Sequence, residues 1–157
     1  GGHKQAAGFS IEPQNVAAFA ERFEAGVRQR RGGERERVLD VDVELQSSEL
    51  GARLLDDLDR LEPYGEGNRQ PLFAVCGARV GKRTRIVGDG HLKLDLQFTD
   101  GSHLDAIAFR WGKEVQPGEI IGSDIDLVGQ VQRQDPRFGS GHQMIVRDMR
   151  SMEHADV

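Results

Sequence analysis

The sequence predicts an α+β chain, with helices in its first 70 residues and strands in the rest. Three observations carry this. Apolar residues recur at helical spacing twice, over 13–30 and over 48–61. From Leu72 onward they alternate at period two. Turn signals at Gly88-Asp89-Gly90, Asp100-Gly101 and Pro117-Gly118 cut that second half into short pieces.

The chain opens on Gly1-Gly2-His3-Lys4-Gln5-Ala6-Ala7-Gly8-Phe9. Small residues there let backbone approach a ligand or another strand, and tight packing is the usual outcome. Phe9-Ser10-Ile11 reads as the end of a strand. Pro13 suits a first helical turn, and Val16, Phe19, Ala20, Phe23 and Val27 then share one face through Arg30, up to the stop at Gly32-Gly33. Leu39, Val41, Val43 and Leu45 alternate with acids, as on a half-exposed strand. Ser47 or Ser48 is placed to cap a second helix. Its stripe is Leu50, Leu54, Leu55, Leu58 and Leu61, with Asp56, Asp57 and Asp59 toward water. A Pro- and Gly-broken loop follows from Glu62 to Pro71.

Five strands are expected after it. Leu72–Val87 is long, with bulge points at Gly77 and Gly81. Leu92–Phe98, Leu104–Phe109, Ile125–Val131 and Gln143–Met149 complete the set. A strongly curved first strand and four followers suit a barrel of oligonucleotide-binding (OB) type, and an SH3-like barrel has the same strand count.

Length of 157 residues fits one medium domain or two small ones. No apolar run approaches membrane-spanning length and no signal peptide is expected. Cys76 has no internal partner, which fits a reducing cytoplasm, and its apolar neighbours suggest a buried, inert thiol. A net charge of −5 argues against a generic nucleic-acid binder. The charge is uneven, however. Arg79, Lys82, Arg83 and Arg85 form a run without an acid, either a phosphate-tracking face or a solvated strand edge. Arg133 and Arg137 flank Phe138 in the loop before the last strand, where an exposed aromatic can stack a base. Trp111 reads as core or half-buried. None of the five histidines has metal-ligand spacing, and there is no Ser/His/Asp order, phosphate-binding Gly loop or catalytic acid pair.

Two stretches together carry a resemblance. Gly1-Gly2-His3 with Ala6-Ala7-Gly8, and Pro63-Tyr64-Gly65-Glu66-Gly67-Asn68-Arg69-Gln70-Pro71-Leu72-Phe73, resemble motifs of the RecJ exonucleases of the DHH phosphoesterase superfamily. Tyr64 stands where that family usually has Phe, and Lys4-Gln5 replaces small or apolar residues. The resemblance implies the end of a DHH-associated domain over 1–45, a linker helix and loop over 46–70, and an OB domain over 71–157. It implies 5′-to-3′ digestion of single-stranded DNA in recombination and repair. Mn²⁺ or Mg²⁺ would be bound by a catalytic domain whose Asp-His-His motif this sequence lacks, so no catalytic or metal residue is expected here. It implies substrate contact by Gly1, Gly2 and His3, and it favours the strand-binding reading of Arg79, Lys82, Arg83, Arg85, Arg133, Arg137 and Phe138 over the solvated one. Single-stranded DNA is the expected partner, with a single-strand-binding protein as a further one. A stand-alone OB module, and a superfamily enzyme acting on short oligonucleotides or cyclic dinucleotides, are the alternatives.

Overall fold

The structure, a computed structural model, describes residues 2–3, 6–31, 38–135, 137 and 141–152. It divides into two compact units, Gly1–Leu39 and Asp40–Val157.

In the first unit, β1 (Gly2–His3) pairs antiparallel with β2 (Ala6–Ala7), His3 opposite Ala6. The expected strand at Phe9–Ile11 is absent; pairing ends with the small residues that face β1. Pro13 starts a 3-10 turn that leads into α1 (Val16–Arg31). The predicted apolar face gathers Phe9 and Phe19 at 4.6 Å and Phe19 and Phe23 at 5.6 Å. None of the side chains described in this unit is buried. The stop at Gly32-Gly33 lies outside the described residues.

The second unit is a closed barrel. Its strands are β4 (Phe73–Val80), β6 (His91–Gln97), β7 (His103–Ala108), β8 (Asp124–Arg133) and β9 (His142–Ser151). Two short strands, β3 (Val43–Glu44) and β5 (Arg85–Val87), extend the sheet beyond the ring. β4 pairs with both β6 and β8, and a parallel β7–β9 pair completes the ring. The ring order β4-β6-β7-β9-β8 is that of an OB barrel rather than the SH3-like alternative.

Alternation sets the register. Leu92, Leu94 and Leu96 of β6 and Leu104, Ala106 and Ala108 of β7 are buried, and their alternates face outward. Each fully buried Leu contributes about 1.5–3 kcal/mol. Helix α2 (Ala52–Arg60) adds Leu55 and Leu58 to the same core.

Several expectations are corrected. Leu72–Val87 is not one strand: it breaks after Val80, where Gly81 N–H donates to Asp95 O (2.7 Å) and Thr84 N–H to Gly81 O (3.2 Å). The expected bulge near Gly77 does form, between Val75 and Ala78. It returns Ala78 to the core, while Cys76, the alternate of buried Val75, faces outward, so the thiol is exposed instead of buried. Partial burial, then Asp126 and Glu44, still push that thiol up, which keeps it protonated and unreactive. Neither serine caps α2. Ser47 and Ser48 sit in a 3-10 turn closed by Gln46 N–H on Glu49 Oε2 (2.8 Å), and Ser47 Oγ donates to Asp100. The strand expected over 39–45 shrinks to Val43–Glu44, parallel to β4, and only Leu45 reaches the core. That pairing sets Val43 opposite Phe73 and Glu44 opposite Ala74.

The loop motif at 63–73 has a structural job. Asn68 Nδ2 donates to Leu61 O (2.8 Å) and Pro63 O (3.0 Å), and Tyr64 Oη donates to Leu58 O (2.7 Å). Asn68 thereby supplies donors to carbonyls just beyond the end of α2, and Tyr64 adds a second donor to Leu58 O, which already accepts from Leu61 N–H (3.0 Å). A Phe in place of Tyr64 would fill the space without the last bond.

Candidate nucleic-acid interface

The turn between β4 and β5 bends because a carboxylate sits beneath it. Asp95 points outward from β6, yet its side chain is only 5% exposed. It accepts from Arg83 Nη2 (2.6 Å), Arg83 N–H (3.4 Å) and Gln97 Nε2 (3.4 Å). Its own N–H donates to Thr84 Oγ1 (3.0 Å). Arg83 holds the Asp95 carboxyl below the usual carboxylate range against the opposing effect of burial. Gly81 makes room for this: a Cβ there would run into the Asp95 carboxylate.

The turn frames an open cleft of about 780 Å³, lined by Arg79, Lys82, Arg83, Asp95, Gln97 and His103 among others. Three of the four cations of the predicted run therefore meet in one place. Arg79 is partly neutralised by Asp124 (3.3 Å) and Arg83 by Asp95. Lys82 is exposed and has no ion-pair partner among the described residues. Arg85 lies beside the cleft on β5, opposite Lys93, and donates to the backbone oxygen of Arg83 (3.0 Å), which leaves its charge uncompensated. The turn thus carries two arginines balanced by carboxylates and, among the described residues, two cations without an ion-pair partner, Lys82 in the cleft and Arg85 beside it.

The second predicted cluster is not brought there. Arg133 spans to α2, its Nη2 at 2.8 Å from Asp56 and 2.7 Å from Asp59. Those two aspartates, expected in open water, hold the end of β8 to the helix. Arg137 pairs with Asp135 (2.6 Å). Phe138 and Gly1 lie outside the described residues, as do the side chains of Gly2 and His3. Trp111 is half-buried against the core, as expected.

Sequence reading missed Asp95, Gln97, His103 and Lys93. The signal was present: once 92, 94, 96 and 104, 106, 108 are taken as core, positions 93–97 and 103–107 at odd numbers share the outer face. Lys93 pairs with Asp105 on that face (3.1 Å).

A closed five-stranded barrel of this strand order, with a cationic turn on its rim, is an OB-fold domain. Comparisons with known proteins narrow the class. The RecJ OB domain family matches residues 41–148, and the chain belongs to that family. The single-stranded-DNA-specific exonuclease RecJ of Thermus thermophilus is 36% identical over 121 residues, covering 76% of this chain. The chain spans 17% of the length of that relative. The crystal structure of Thermus thermophilus RecJ with Mn²⁺ superposes with a TM-score of 0.63 at 28% identity, covering 98% of this chain and 22% of that one. The same enzyme with Mg²⁺ gives 0.59 at 28% identity, covering 98% and 23%.

Proposed function

We propose that this chain is the strand-gripping C-terminal region of a RecJ-type exonuclease that digests single-stranded DNA 5′ to 3′ in recombination and repair. The observation that carries this is the cationic cleft at the β4–β5 turn of a barrel whose family is that of the RecJ OB domain. In this reading residues 1–45 complete a DHH-associated domain and 46–70 connect it to the OB domain. Gly1, Gly2 and His3 face the scissile strand, with imidazole and backbone N–H groups donating to phosphate oxygens. Arg79, Lys82, Arg83 and Arg85 hold the strand away from the cleavage point and raise processivity.

The metal chemistry belongs elsewhere in the parent protein. Among the described residues no group of three or more His, Cys, Asp or Glu side chains is placed to hold a metal ion. The relatives of known structure are Mn²⁺ and Mg²⁺ complexes. We assign either ion to the catalytic domain, where it would activate water and clamp the phosphodiester. No described helix is long and apolar enough to cross a membrane; the reading places the protein in the cytoplasm, with a single-strand-binding protein as a second partner.

The test uses the 157-residue chain with labelled single-stranded and duplex DNA and Mn²⁺. Salt-sensitive binding that favours the single strand, without nucleotide release, is expected. Equal affinity for duplex, or metal-dependent digestion that survives further purification, would overturn the reading.

A further inference from the structure

We propose that the corner formed by His91, Phe109 and Arg110 is a stacking platform for one unpaired nucleobase. This rests on reading the barrel as a single-strand binder and names what a separate part of its surface takes. Phe109 follows β7 in the outward register and is 50% exposed. Large exposed aromatics on an otherwise polar barrel face call for a reason, and this one is held in place. His91 packs edge-on to it, ring centres 5.0 Å apart and planes at 78°. The Arg110 N–H donates to His91 Nδ1 (3.1 Å). In the neutral ring that leaves the proton on Nε2, a donor for a base edge or a phosphate oxygen.

The corner is built at a cost. Arg110 adopts φ 68°, the one left-handed non-glycine conformation among the described residues. Such backbone persists only when its surroundings enforce it. Here Gly112 N–H donates to Gly90 O (2.9 Å), locking the turn after β7 onto the tip of the β5–β6 hairpin. A Cβ at Gly112 would sit 2.6 Å from Ile86 Cδ1 and 2.9 Å from Gly90 O, so the contact admits no side chain. Half-buried Trp111 anchors the same turn in the core. The result is an aromatic surface that needs no ordering when a ligand arrives.

A nucleobase fits this surface best. Val87 and Arg85 of β5 lie opposite His91 and Lys93 of β6. The backbone of Arg85, whose side chain is the cation there that no carboxylate among the described residues pairs, therefore stands two residues, about 7 Å, along the strand from the platform, and a long side chain from that position can serve the phosphate of a stacked nucleotide. Every base offers a π-face, so the platform is tolerant of sequence. A duplex hides those faces.

The test measures affinity of the 157-residue chain for an oligothymidine and for an abasic strand of equal length and charge. Stacking is worth about 1–3 kcal/mol per base, so the base-bearing strand should bind about five- to 150-fold tighter. Phe109→Ala should shrink that preference at least fivefold, leaving abasic affinity, salt slope and melting temperature unchanged. Phe109→Trp should retain it. Binding of both strands with equal affinity by the wild type, or an undiminished preference in Phe109→Ala, would refute the platform while the cleft reading stands. Binding of neither strand would refute both.

Discussion

Asp95 is the residue on which the candidate cleft depends, and removing its charge should show this in stability. The carboxylate is nearly buried while its partner Arg83 is 68% exposed. A hydrogen bond to a charged group contributes about 1.5–3 kcal/mol. Solvent around the guanidinium discounts that, so we expect a coupling energy of about 1 kcal/mol between the two side chains. Asp95→Asn should cost about 1–2 kcal/mol in all, because an amide turns two donors toward the donors that now face Asp95. The pH dependence has a fixed sign. Arg83 lowers the carboxyl's pKa in the folded state. Its contribution is therefore complete above the unfolded value of about 3.9 and fades as pH falls through the lower folded value. Urea denaturation of wild type, Asp95→Asn, Arg83→Ala and the double variant at neutral and acid pH gives both quantities. A coupling under about 0.3 kcal/mol, or the same acid loss in Asp95→Asn as in wild type, would refute the reasoning.

Three further outcomes follow from the same geometry. Gly81→Ala should destabilise by about 1–3 kcal/mol, because its Cβ displaces the Asp95 carboxylate, and the loss should be smaller in an Asp95→Ala background; thermal melts of the four proteins check this. Burial pushes the His142 imidazole down, outweighing Asp105, and its Nε2 is buried without a hydrogen-bond partner. Wild-type stability should therefore fall as pH drops below the unfolded value of about 6.5, and His142→Gln should flatten that fall in urea titrations. In the parent enzyme, His3→Ala should lower kcat/KM about ten- to hundredfold through one lost charge-assisted bond, with melting temperature unchanged; wild-type kinetics would remove His3 from the site.

The barrel is legible because its signal is local. Leu92 to Phe98 alternates without a fault, and Asp100-Gly101 marks a turn within the hairpin that joins β6 to β7. Helix α2 is legible for the same reason, since Leu55 and Leu58 lie on a stripe of period 3.6. What sequence reading misses is set by partners far away in the chain. The break after Val80 comes from Asp95, across the barrel rim. Arg133 leaves the proposed strand path because Asp56 and Asp59, more than seventy positions earlier, reach it first. The charge run is visible as a cluster but not in its balance: which of Arg79, Lys82, Arg83 and Arg85 are neutralised depends on Asp95 and Asp124. Asn68 and Tyr64 sit in a motif recognisable from sequence, yet the helix-end bonds they make emerge only from the fold.

The central claim is that the cleft at the β4–β5 turn tracks a single strand by its phosphates. The direct measurement is the slope of log affinity against log salt for single-stranded DNA, in wild type and in the variant with Arg79, Lys82, Arg83 and Arg85 all replaced by Ala. Each phosphate neutralised on a single strand contributes about 0.7 to that slope. Lys82 and Arg85 carry the uncompensated charge, so the slope should flatten by about 1.4 and by no more than about 2.8, with weaker binding throughout. Unchanged affinity and slope in a normally folded variant would contradict the account and place the strand elsewhere on the protein.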